Sequence, residues 1–193
     1  MKALVLAIGA AALSAACATN ADDAPPASTA DAMSPTSAPG YLRMAASSDM
    51  FEIESSRLAL QQSQNPAVRQ FAQMMINDHT RTTNEATAIA RQQGMNPPPP
   101  MMAPHHQQML DELRAAGPAN FDSAYKRAQI AAHQEALNLH QGFASGGDNE
   151  ALRGFAQRTV PAIQMHYQHA QSLPESMAAP APAPSPSTAG ERG

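Results

Sequence analysis

The chain holds a single cysteine, no tryptophan and few aromatic residues. A lone cysteine excludes an internal disulfide, so any folded domain must stand on its apolar core alone. Valine and isoleucine are sparse while alanine, glutamine, leucine, methionine and arginine are plentiful, a balance that favours helix over strand. Positive charge is also short: 12 Lys and Arg stand against 16 Asp and Glu, a net charge of −4. No basic surface dominates, which argues against a nucleic-acid partner. No apolar run reaches the ~18–20 residues that span a bilayer as a retained helix. Catalytic signatures are missing as well. There is no Gly-x-Ser-x-Gly elbow and no glycine-rich phosphate loop ahead of a helix, so catalysis by nucleophile or nucleotide is unsupported. The Glu-x-x-His element of di-iron bundles is absent too, which makes a dinuclear oxidase site a poor reading.

The one cysteine is informatively placed. Lys2 supplies a positive charge, residues 3–13 are an apolar run with one glycine, and Leu13-Ser14-Ala15-Ala16-Cys17 follows. Charged end, apolar centre and small residues before a cleavage point are the layout of a bacterial export signal. Small residues directly before a cysteine resemble a lipobox, in which the thiol is acylated and becomes the new N-terminus. Ser14 stands three before the cysteine, where Leu, Val or Ile is usual, so cleavage after Ala16 or Ala18 to give a soluble periplasmic product is the competing reading. The expectation is removal of residues 1–16 and lipid attachment at Cys17. Ala18, rather than Asp, follows, which favours sorting to the outer membrane on its periplasmic side. The partners expected are then the membrane, through the lipid, and an envelope protein.

Residues 17–39 are rich in Pro, Ala, Ser and Thr, with little to bury, and read as a disordered tether. Residues 174–193 carry an Ala-Pro alternation and read as a solvated tail of extended geometry. Residues 40–173 form one domain. Its helices are delimited by their punctuation. The first covers residues 41–63, with Phe51, Glu54 and Leu58 on one face. Asn65-Pro66 reads as cap and first residue of the second, which stops at Gly94. Four consecutive prolines exclude helix over residues 97–100. A short helix over residues 105–116 closes at Gly117-Pro118. Asn120 is expected to cap the next, which runs to residue 144. Asp148 or Asn149 caps the last, where Pro161 should kink or break a turn. No internal repeat is evident. Four long helices with a long connection between the second and third predict an all-α, ferritin-like four-helix bundle whose crossover contains a short helix.

The segment Phe51-Glu52-Ile53-Glu54-Ser55-Ser56-Arg57-Leu58-Ala59 carries a resemblance to a known family. So do Pro66-Ala67-Val68-Arg69-Gln70-Phe71-Ala72-Gln73-Met74-Met75-Ile76-Asn77-Asp78-His79-Thr80, Ala132-His133-Gln134-Glu135-Ala136 and Pro161-Ala162-Ile163-Gln164-Met165-His166. Together they are similar to the bacterial envelope domain-of-unknown-function family 4142. The resemblance spans residues 41–173 and implies a ferritin-like four-helix bundle at an exported location. It implies no established reaction.

Glu54, His79, His133 and His166 come one from each long helix, beside apolar faces. Carboxylate and imidazole groups pointing inward from four helices are what a metal site in a bundle core requires. Asp78 is placed to bond the far nitrogen of an imidazole, and Glu135 or Glu52 to supply a second carboxylate. The simpler reading is a buried hydrogen-bond network that fixes helix register. A second cluster, Met101, Met102, His105, His106 and Met109, has the thioether and imidazole donors that suit copper(I), against a plain packing role. No cofactor is firmly implied beyond a possible metal ion. The reading favoured by sequence is an exported, lipid-anchored bundle with a structural, interaction or stress-related envelope role and no catalysis. The alternative is a mononuclear metal site for iron, zinc or copper.

Overall fold

The structure is a computed structural model that describes residues 33–97 and 99–175. Residues 1–16, Cys17, the tether up to residue 32 and the tail from residue 176 lie outside the described residues. Among the described residues five helices follow one another: α1 (Ala38–Gln62), α2 (Pro66–Gln92), α3 (Pro104–Ala115), α4 (Gly117–Gly146) and α5 (Glu150–Ser172). None of them is long and apolar enough to cross a membrane.

Local chemistry explains the boundaries. The Ser37 side chain accepts from the Gly40 N–H, and Pro39 sits in the first turn, where it forfeits no helical hydrogen bond. A Cβ at Gly40 would lie 2.0 Å from the Ser34 carbonyl oxygen, so the approach of the two backbones demands glycine. Folded structure therefore starts inside the segment expected to be tether. The Asp148 carboxylate holds it there, accepting from the Ala38 N–H at 2.8 Å. With Asp148 so engaged, Asn149 caps α5, accepting from the Leu152 N–H at 3.0 Å. Asn120 is not a cap. The break between α3 and α4 is Gly117, at φ 65°, followed directly by Pro118. α5 runs through Pro161 on its exposed side, where the missing N–H releases only the Gln157 carbonyl.

The apolar core gathers mainly at two ends, with a small third cluster of Ala136, Leu137 and Ile163 joining α4 and α5. At one end, Phe51 and Ala59 of α1 meet Val68, Phe71 and Met75 early in α2, Phe121 and Tyr125 early in α4, and Ala170 late in α5. At the other, Tyr41 and Ala45 of α1 meet Ala86 and Ala90 late in α2, Phe143 late in α4 and Leu152 and Phe155 early in α5. α1 and α5 consequently run one way and α2 and α4 the other. Two like-directed neighbours in sequence, α2 and α4, need a connection as long as the bundle, and α3 with the proline run supplies it, lying along the α1–α4 seam. The bundle is all-α with the ferritin-like crossover. Each large side chain buried at the two ends contributes roughly 1.5–3 kcal/mol. Between them lies a waist of polar groups: Asp49, Glu52, His79, His133 and His166 are all buried.

Candidate metal centre

The waist is built by helical spacing. On α1 the inward face is Tyr41, Ala45, Ser48, Glu52, Ser55 and Ala59, at alternating steps of three and four. Glu54, two residues past Glu52, is turned far round the helix and pairs with Arg57 at 2.5 Å, its side chain 40% exposed. The expected inward carboxylate of α1 is therefore not Glu54. Asp49 and Glu52 take that place.

His79 of α2, His133 of α4 and His166 of α5 do converge. Their ring centroids are 5.6–5.7 Å apart in all three pairings. One nitrogen from each ring lies within 4.8 Å of the other two, so some point sits within about 2.8 Å of all three, against ~2.0–2.1 Å for a Zn–N bond. The rings are not bonded to one another. Instead each has one nitrogen tied to an acceptor on its outer side. His79 Nδ1 meets Asp49 Oδ1 at 2.7 Å, and Thr83 donates to the other Asp49 oxygen at 2.6 Å. His166 Nε2 meets Asp78 Oδ2 at 3.0 Å. His133 Nδ1 meets the Gln129 carbonyl oxygen at 2.8 Å. A carboxylate or a carbonyl oxygen only accepts, so these nitrogens carry the protons. That leaves a lone pair on His79 Nε2, His133 Nε2 and His166 Nδ1 when the rings are neutral, and all three atoms are buried without a partner.

Three orphaned acceptors are costly, at roughly 1–3 kcal/mol each. With the three rings neutral, a single water donates two hydrogens and leaves the third lone pair unmet; it serves all three only when His79 Nε2 carries a proton for it to accept. A metal cation meets all three. A small cavity of about 20 Å³, bordered by Asp49, Asp78, His79, Ile163 and His166, adjoins the trio, room for about one small occupant. Outer hydrogen bonds that fix tautomer and ring orientation are also the usual support of histidine ligands. Glu52 stands beside the trio, its Oε1 3.4 Å from His133 Nδ1 and neither oxygen hydrogen-bonded.

Protonation follows from burial. It lowers His133 to about 3, with the nearby charge of His79 acting in the same direction. Burial also takes His166 and His140 to about 4. His79 is the exception: burial lowers it, but the hydrogen bond to Asp49 and that carboxylate's charge leave it raised. Burial pushes the Glu52 carboxyl up to about 7, against the pull of His79. His79 is thus the ring where a proton competes with a cation.

The other predicted residues fall elsewhere. Asp78 is placed as expected, against His166. Glu135 is not near the trio; it lies on the outer side of α4, 3.2 Å from His105 Nε2 and 3.6 Å from His106 Nε2. Met101 and Met102 line the groove beside those histidines. Met109 does not: it is half-buried against the apolar end of the bundle.

A family model described as "Domain of unknown function (DUF4142)" matches residues 23–173. The chain belongs to the DUF4142 family. No curated protein matches it. Among solved structures, this DUF4142 chain is similar to CopM in the Cu(II)-bound form, at 21% identity and TM-score 0.60, over 70% of this chain and 93% of the other. It is likewise similar to CopM in the Ag-bound form obtained by co-crystallisation, at 20% identity and TM-score 0.59, with the same coverage. These likenesses establish the helical-bundle fold.

Two waist residues, Asp49 and His140, escaped sequence reasoning altogether; Asp49 lies on a face of α1 with a weak apolar period. His140, buried, bonds the Tyr41 hydroxyl through Nδ1 at 3.0 Å. The signal for His140 was its place seven residues after His133, two turns on and on the same face of α4.

Proposed function

We propose that this DUF4142 chain is an exported envelope protein that binds a metal ion of the copper class through His79, His133 and His166, and is lipid-anchored at Cys17. The observation that carries the metal reading is the set of three buried ring nitrogens left without partners while their opposite nitrogens are tied to Asp49, Gln129 and Asp78. Imidazole donors suit copper, zinc, iron and nickel, and copper(II) lies highest in divalent affinity. The fold's likeness to CopM, solved with Cu(II) and with silver, supports the same choice. A bound ion would supply positive charge to the three lone pairs, and the chain's own groups would hold the rings. Asp49 and Asp78 orient them and the two apolar ends exclude water. The role is binding and retention of the ion, at a membrane-tethered position, rather than turnover of a substrate.

A second reading has its own support. Polar pairs cross the bundle at several levels, Ser56 with Tyr125 at 2.7 Å and Gln129 with Ser55 at 3.0 Å among them, as a register-fixing scaffold requires. The test is copper content of the full chain purified from envelope fractions without chelator, by mass spectrometry. One retained equivalent that disappears in His133→Gln and His79→Gln, with helix content unchanged, supports the metal site. Wild-type protein that takes up no copper, and variants that only melt earlier, leave the scaffold reading. Labelling with radioactive palmitate that is lost in Cys17→Ser checks the anchor.

A further inference from the structure

The geometry points to a second metal site, independent of the core, formed by His105, His106 and Glu135 at the α3–α4 seam and suited to a borderline divalent cation, copper(II) or zinc. One ligand atom from each of the three residues lies within 4.8 Å of the other two. Glu135 Oε2 faces both Nε2 atoms, at 3.2 Å from His105 and 3.6 Å from His106. These are long for charge-assisted hydrogen bonds, which run at about 2.7–2.9 Å. They bracket the spacing of about 3.3 Å that neighbouring ligands have around a tetrahedral ion with bonds of ~2.0–2.1 Å.

The second, independent observation is His106 itself. It is 4% exposed, and its Nε2 has no hydrogen-bond partner. Its position is held from behind. Nδ1 meets Ser47 Oγ at 2.7 Å, Ser47 in turn accepts from the Ala103 N–H at 2.8 Å, and the ring stacks on Phe51. The His105 ring lies beside it, centroids 3.9 Å apart, although the two are consecutive in the chain. His105 and Glu135 are more than half exposed, so the third side of the site is open to solvent. Two imidazoles and one carboxylate with an open position are a recurrent set for zinc-class ions. The start of α3 opposes a cation, and the full charge of Glu135 offsets that. The groove beside the site, about 580 Å³, carries Met44, Met101 and Met102, so an incoming ion meets thioethers on its way to the open position.

The test is a count of bound metal. The full chain, and the double variant His105→Ala with Glu135→Gln, are titrated with zinc(II) and separately with copper(II), and bound equivalents are read by mass spectrometry after equilibrium dialysis. These changes sit on the surface, and circular dichroism verifies the fold. The double variant is expected to bind one equivalent fewer than the unmodified chain with at least one of the two ions. An unchanged count with both ions overturns the site. Failure of the core reading is separable: it would show as one equivalent in the unmodified chain and none in the double variant.

Discussion

Two groups of three ligand-bearing residues lie on opposite sides of the same α4 wall, and they differ in how they are held. In the core trio every residue is buried, and every ring has its far nitrogen anchored to another group of the chain. In the seam trio only His106 is buried and anchored, and two of the three donors are exposed. The difference teaches what each costs when empty. Buried lone pairs without donors are expensive, whereas exposed ones are satisfied by solvent. Without an ion the core trio therefore leaves three buried lone pairs without donors, and the seam trio leaves one, at His106 Nε2.

The largest expected difference is between loaded and stripped protein. Copper at 100 times its dissociation constant should raise unfolding free energy by ~2.7 kcal/mol if it binds the native core alone. Thermal melts with and without chelator should show a shift of several degrees, and the core's share of that shift should persist in His105→Ala with Glu135→Gln. A smaller effect is expected one bond further out. Asp78→Asn removes the charge behind His166 and should weaken core copper affinity by about 10–100-fold, read by competition with a chelator. Equal weakening in Glu54→Gln would contradict the distinction, because Glu54 faces solvent beside Arg57.

Acidity gives a third comparison. His133, His140 and His166 have folded pKa values depressed to about 3, about 4 and about 4. The unfolded chain takes up protons first, near 6.5, so their contribution is complete above that pH and is lost as pH falls towards about 4. Each costs up to ~1.4 kcal/mol per pH unit in that window. Glu52, raised to about 7 by burial, acts in the opposite sense, its contribution present below the ordinary carboxylate range and lost as pH rises to about 7. Urea unfolding of metal-free protein should show a net loss of stability from pH 6.5 to 4, and Glu52→Gln should steepen it. The smallest effect is expected for Glu54→Gln, within ~0.5 kcal/mol of the unmodified chain.

Much of this architecture was legible in residue order. Asn65-Pro66, the proline run and Asn149 mark helix ends through simple backbone chemistry, and the long link between α2 and α4 requires the crossover. His79, His133 and His166 were readable because each follows the apolar period of its own helix. α1 hid its inward face because, beyond Tyr41, that face is made of Ala and Ser with two acids, and small residues leave a weak hydrophobic period. Phe51 and Leu58 pulled the reading towards Glu54, while the true face passes through Asp49 and Glu52. Glu135 misled for a related reason: two residues after a buried histidine on a helix is nearly the opposite side. The His105–His106–Glu135 grouping depends on where the crossover docks, which no local pattern contains.

X-ray absorption at the copper edge is the most direct test of the core trio. The protein would be the full chain carrying His105→Ala and Glu135→Gln, loaded with one equivalent of copper and passed through a desalting column. Three imidazole nitrogens near ~2.0 Å from the metal are predicted. Copper that washes out, or a bound shell with fewer than two imidazoles, would contradict a core site built from His79, His133 and His166.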